Sequence, residues 1–272
     1  MALTAKQAFK ELSRPGPHRV MRGDLALVGL PGAVLTPESG TGLPAVVFGH
    51  GWLQPITRYH GFMRHLASWG FVVAAPATQT GPLPSHRLFT ADMRTALDVC
   101  TSVRLGEGRI SVNPEQLGMA GHSLGGGCAV LAAAEDERVR AVGTMGLSET
   151  RPSAIDAARE CAMPALHLSG DEDLISPPIG HAEPVTQAWA GPVQLRGIDK
   201  ATHLGFTENW QWTDLLLDGK PQSKTQKLSR VLLTAFFLRV LTGNREYSAL
   251  LEAEIKGCSI DYTRGPAVPS LA

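Results

Sequence analysis

From about residue 45 onward, short apolar runs alternate with longer stretches of helical periodicity, and no other feature constrains the fold as tightly. The runs at 45–48, 71–75, 117–120, 139–145, 165–168 and 193–198 have the length and composition of buried strands. Between them lie helix-like stretches at 60–69, 87–104, 123–134 and 181–189, and another follows at 225–241. In the first of these, Phe62, Leu66 and Trp69 fall near one face; in the second, Leu88, Met93, Leu97, Cys100 and Val103 recur at roughly helical spacing. Strands separated by helices predict a mostly parallel sheet covered on both faces, because adjacent parallel strands need a crossover connection. Residues 22–36 predict an antiparallel hairpin at the leading edge. No repeat, low-complexity tract or linker divides the chain, so one α/β domain over residues 1–272 is expected. The stretch at about 207–227, with Trp210, Trp212 and Leu215 to Leu217, reads as an insertion that either covers a cleft or packs as a helix.

Composition narrows the function. The chain is 43% hydrophobic and 18% charged, enough apolar material for a sizeable core. Lys plus Arg and Asp plus Glu both number 25, which gives no electrostatic reason for a nucleic-acid or anionic-membrane partner. No apolar run has the length of a transmembrane segment; the stretch 231–241 is too short, and Arg239 interrupts it. The first residues, Met1-Ala2-Leu3-Thr4-Ala5-Lys6-Gln7, lack the apolar centre of a secretory signal. Cys100, Cys128, Cys161 and Cys258 have no Cys-x-x-Cys spacing and no neighbouring metal-ligand set. Buried free thiols, a cytoplasmic location and no metal centre are the expectation.

In an open parallel sheet, chemistry gathers beyond the carboxyl ends of the strands. Gly121-His122-Ser123-Leu124-Gly125 stands at such a point, between the run ending at Ala120 and a helix rich in small residues. The pattern Gly-x-Ser-x-Gly on a strand–turn–helix holds the serine in a strained backbone with its hydroxyl exposed. A phosphate loop would need a lysine that Gly125-Gly126-Gly127 lacks. A serine hydroxyl becomes a useful nucleophile when a base takes its proton and a carboxylate orients that base. Such hydrolases order the three groups as Ser, acid, His along the chain. Of nine histidines, only His203 follows the last predicted strand of the sheet, on the loop 199–203. Three acids end the strand at 165–168: Asp171 in the turn itself, then Glu172, then Asp173 just before Leu174-Ile175. Two backbone N–H groups are needed for the oxyanion. Leu124 supplies one, and Trp52, on the loop Gly49-His50-Gly51-Trp52, the other.

With these residues the chain resembles an α/β-hydrolase, and more narrowly the bacterial cutinase and polyester-hydrolase family and the dienelactone-hydrolase-like esterases. The resemblance runs from about Leu30 to Glu252, over Gly49-His50-Gly51-Trp52, Leu66 to Val73, Gly118 to Gly127, Ala201-Thr202-His203-Leu204 and the late stretch Phe236 to Tyr247. Its most specific part is Asp173-Leu174-Ile175-Ser176-Pro177 followed by His181-Ala182-Glu183-Pro184, and this match selects Asp173 as the acid. The resemblance implies hydrolysis of a carboxylic ester through an acyl-enzyme, with a small-molecule ester as substrate and no metal or organic cofactor. Trp52, His122, Leu147 and Trp210 are the side chains expected to meet the substrate. Polymer-binding members share an aromatic residue after the strand that follows the elbow helix. Leu147 or Ser148 stands at the matching place here, and neither is aromatic. Dienelactone hydrolases proper use a cysteine nucleophile, whereas this chain has Ser123.

Overall fold

The computed structural model describes residues 3–211, 214 and 219–265. In chain order the elements are α1 (Ala5–Leu12), β1 (Val20–Asp24), β2 (Gly32–Pro37), β3 (Gly40–Gly49), α2 (His60–Ser68), β4 (Val72–Pro76), α3 (His86–Ser102), β5 (Ile110–His122) and α4 (Leu124–Ala134). There follow β6 (Val139–Met145), α5 (Ala154–Ala158), β7 (Ala165–Gly170), α6 (Ala182–Ala188), β8 (Val193–Ile198), α7 (Ser223–Thr242), α8 (Ala249–Glu252) and β9 (Tyr262–Arg264). Among the described residues the strands form one nine-stranded sheet in the order β1-β2-β4-β3-β5-β6-β7-β8-β9. From β4 to β8 every pairing is parallel. The predicted leading hairpin is β1 against β2, with a one-turn 3-10 helix at Leu25–Val28 between them. β9, which the sequence pattern does not predict, closes the other edge antiparallel to β8.

The alternation of side chains across the pleat divides the core into two layers. Val46, Phe48, Val73 and Ala75 point to the face covered by α2 and α7, whereas Ala45, Val47, Val72 and Ala74 meet α3 and α4 on the other. Strands buried on both faces read as unbroken apolar runs, and the central strands here do. The expected strand at 117–120 begins earlier, at Ile110, because residues 110–112 already pair with β3 across register shifts near Leu43. Asn113-Pro114-Glu115-Gln116 interrupts the apolar pattern in that stretch and conceals its continuity.

β3 and β5 are neighbours, and the crossover after β3 runs to β4 on one side whereas the crossover after β5 runs to β6 on the other. A crevice opens beyond the carboxyl ends of strands at such a reversal. Gly49 and Gly121, at the ends of β3 and β5, lie directly opposite each other there.

Two histidines far from that crevice sit uncharged in the core. Burial pushes the His167 ring down to about 3; burial and the nearby Arg230 push His65 down to about 4. The unfolded chain charges both rings below about pH 6.5, so it binds more protons than the folded chain there. Stability is therefore intact above that pH and falls as pH drops, by about 1.4 kcal/mol per unit for each ring until its folded value is reached. The urea midpoint is expected to be lower at about pH 5 than at about pH 7.5, with a smaller difference in His167→Gln. A midpoint unchanged between those conditions would contradict it.

Candidate active site

Ser123 occupies the turn between β5 and α4 with φ 55° and ψ −126°, a conformation that non-glycine residues rarely adopt. Its surroundings hold it there. Its N–H donates to the Met145 carbonyl at 3.0 Å, and its own carbonyl accepts from the Ser148 N–H at 3.1 Å. Two glycines permit the turn by close approach. A Cβ on Gly125 would stand 2.2 Å from the Gly49 carbonyl oxygen, and one on Gly121 would stand 2.2 Å from the Gly125 oxygen. Neither position has room for any side chain.

Three loops bring their polar groups to this turn. The His203 ring, on the loop after β8, is buried, with Nε2 2.8 Å from Ser123 Oγ and Nδ1 2.8 Å from Asp173 Oδ2. Asp173 is buried as well, and its other oxygen accepts the N–H groups of Ile175 at 3.0 Å and Ser176 at 2.8 Å. A carboxylate facing Nδ1 can only accept, so Nδ1 carries the proton and Nε2 is left to receive one from Ser123. Of the three acids after β7, Asp173 reaches the ring; Asp171 and Glu172 are exposed. Gly146, with φ 48°, leaves the space beside this pair clear, since a Cβ there would stand 3.2 Å from Asp173 Oδ2.

A cavity of about 180 Å³ opens over Ser123. Trp52, His86, His122, Leu124, Ser148 and Ile175 contribute to its wall. A larger cavity of about 620 Å³ lies at the opposite, amino-terminal ends of β6 and β7, away from these groups. The Leu124 N–H opens α4 and so has no acceptor within the helix. Trp52 is 40% exposed, and its indole N–H donates to the Pro82 carbonyl at 3.1 Å.

The remaining expected contacts divide. Leu147 is fully buried in the core beneath α4, and its neighbour Ser148 lines the cavity instead. Trp210 is 60% exposed and stands outside the residues that line the cavity. Trp212 and Leu215 to Leu217 lie outside the described residues. His122 borders the cavity, but its ring is fully buried and bonded on both sides. Its Nε2–H donates to the His203 carbonyl at 3.1 Å, and its Nδ1 accepts the Tyr59 hydroxyl at 2.8 Å. Tyr59 in turn accepts the Gly51 N–H at 3.1 Å. Burial, then the neighbouring His203, hold the His122 ring well below the usual imidazole range, so it stays neutral. Burial keeps the Tyr59 phenol protonated. Gly51, Tyr59, His122 and the backbone of His203 thus form one chain that ties the Trp52 loop to the His203 loop. Nothing in the spacing of Tyr59 points to this, because its partner lies 63 residues away.

The buried thiols Cys100, Cys128 and Cys161 are pushed up to about 12 by burial, out of the range of a working nucleophile. Ser123 is the hydroxyl that an imidazole and a carboxylate surround. Residues 15–206, more than two thirds of the chain, match the model of the PET hydrolase-like family. The chain belongs to the PET hydrolase-like family. The nine-stranded sheet is accordingly an α/β-hydrolase sheet, and the family is one of ester hydrolases. Ser123, Asp173 and His203 all fall inside the PET hydrolase-like match, and α7, α8 and β9 lie beyond it. A search of curated proteins finds no match. Among the described residues, no helix is long and apolar enough to cross a membrane.

Proposed function

We propose that this protein is a serine esterase acting on small carboxylic esters, with Ser123 as nucleophile, His203 as general base and Asp173 orienting the imidazole. The observation that carries the reading is the His203 ring, with one nitrogen 2.8 Å from Ser123 Oγ and the other 2.8 Å from a carboxylate held by two backbone amides. As Ser123 Oγ attacks the ester carbon, its proton passes to His203 Nε2, and Asp173 stabilises the imidazolium. The carbonyl oxygen takes up the charge and is met by the N–H groups of Leu124 and Trp52. His203 then returns the proton to the departing alcohol, which leaves an acyl group on Ser123. Water, deprotonated by the same nitrogen, releases the acid. The steps need no metal or organic cofactor.

The size of the cavity supports small substrates. About 180 Å³ suits a short acyl or alcohol group, and the wall position after β6 is serine where an aromatic clamp would favour a polymer. We read the chain as one hydrolase domain. Four separate free thiols support a cytoplasmic setting. The test is a panel of p-nitrophenyl esters together with polyester film. The highest kcat/KM is expected on acetate and butyrate, with a steep fall toward palmitate and little release from film. Equal turnover of palmitate or film would contradict the small-ester reading.

A further inference from the structure

Two hydroxyls beside Ser123 have no part in the steps above. Ser148 Oγ lies 3.1 Å from Ser123 Oγ, and on its far side it is hydrogen-bonded to Ser176 Oγ. Both are tied to the reacting groups by backbone as well. The Ser148 N–H donates to the Ser123 carbonyl at 3.1 Å, and the Ser176 N–H donates to Asp173 Oδ1 at 2.8 Å. Proton counting sets the direction of the chain. His203 Nδ1 keeps its hydrogen on Asp173, so Nε2 accepts, and the one proton of Ser123 goes there. Ser123 Oγ can then only accept from Ser148. That uses the one proton of Ser148, so Ser176 must donate to Ser148. The order runs Ser176 to Ser148 to Ser123 to His203.

We propose, on the reading of Ser123 as nucleophile, that Ser148 is a further catalytic residue whose hydroxyl assists Ser123 Oγ as leaving group during deacylation, with Ser176 as the positioning residue that fixes its direction. During attack by Ser123, a hydrogen bond donated to Oγ has two opposing effects. It favours loss of the proton to His203, and it competes for the electron pair that attacks the ester, so little net effect on acylation follows. In the acyl-enzyme the situation changes. Oγ has no proton, and His203 Nε2 is engaged with water. Ser148 is then the side-chain donor left on Oγ, and it draws density from the ester as water adds. On collapse the carbon–Oγ bond breaks, its electron pair returns to Oγ, and the proton on His203 Nε2 passes to Oγ as the acid is released. Ser148 gives a hydrogen bond throughout and transfers no proton.

The test is Ser148→Ala in the full chain, assayed with p-nitrophenyl acetate in steady state and by stopped flow. A hydrogen bond to developing charge corresponds to a loss of roughly 10- to 100-fold in kcat. KM should fall with kcat, leaving kcat/KM within about threefold of the parent, since acylation is spared. A burst of p-nitrophenol close to one per enzyme should appear, with an acetyl adduct on Ser123 by intact mass. Ser176→Ala, which keeps the Ser148 hydroxyl, should show the same split at smaller size. A fall in kcat/KM equal to that in kcat, without a burst, would overturn the proposal, as would unchanged kinetics in Ser148→Ala. If the parent protein itself shows no acylation of Ser123, the esterase reading fails instead, and the two failures are told apart by that control.

Discussion

Ser123→Ala is expected to lower kcat on p-nitrophenyl acetate by roughly 10⁴- to 10⁶-fold while leaving the fold intact. The substitution deletes one oxygen. The backbone bonds that hold position 123, to Met145 and from Ser148, do not involve it. Asp173→Asn is expected to cost somewhat less, roughly 10³- to 10⁴-fold, because the amide offers N–H as well as oxygen to Nδ1 and no longer holds one tautomer. Its loop should stay ordered only if the amide oxygen keeps the N–H groups of Ile175 and Ser176, so the melting temperature of this variant is measured alongside. A Ser123→Ala protein retaining more than about a tenth of parental turnover would show that another group carries the reaction.

Arg58→Ala is the substitution expected to cost most stability. Arg58 is buried and bidentate to Asp214, with Nη1 2.6 Å from Oδ1 and Nη2 2.8 Å from Oδ2. Its Nε donates to the Glu208 carbonyl at 3.1 Å, and Nη1 also reaches Gln54, which lines the cavity. Glu208 caps α2 through the N–H groups of Gly61 and Phe62. One guanidinium therefore joins the chain after Phe206 to the loop that bears Trp52. Removing it leaves the Asp214 carboxylate buried and unpaired, which costs roughly 3–5 kcal/mol. For a chain of this size that is a fall of roughly 6–20 °C in melting temperature. The double variant Arg58→Met, Asp214→Leu should recover much of the loss, since no buried charge is stranded. A melting temperature within about 2 °C of the parent in Arg58→Ala would mean that water already reaches the pair.

Much of this fold was legible because its central strands are buried on both faces. Val139–Met145 and Val193–Ile198 begin and end where their apolar runs do. Short or amphipathic elements left less trace. α5 and α8 are five and four residues long, and β9 is a three-residue edge strand whose only cue is Tyr262. At the site, the elbow and the base follow from local pattern and chain order. The acid among residues 171–173 took a family resemblance to choose, because a turn residue and the next loop residue look alike in sequence. Leu147 and Ser148 illustrate a different limit. They are adjacent, and a shift of one position decides which faces the core and which the cavity. The bonds from Tyr59 to His122 and from Ser148 to Ser176 join residues far apart in the chain, and serine and tyrosine are too common for spacing to reveal them.

The most direct measurement is reaction with a fluorophosphonate followed by peptide mass spectrometry. A single adduct on Ser123, formed rapidly in the parent and lost in His203→Ala, is the predicted result. No adduct, or an adduct on another residue with Ser123 untouched, would contradict the assignment of Ser123 as an imidazole-activated nucleophile.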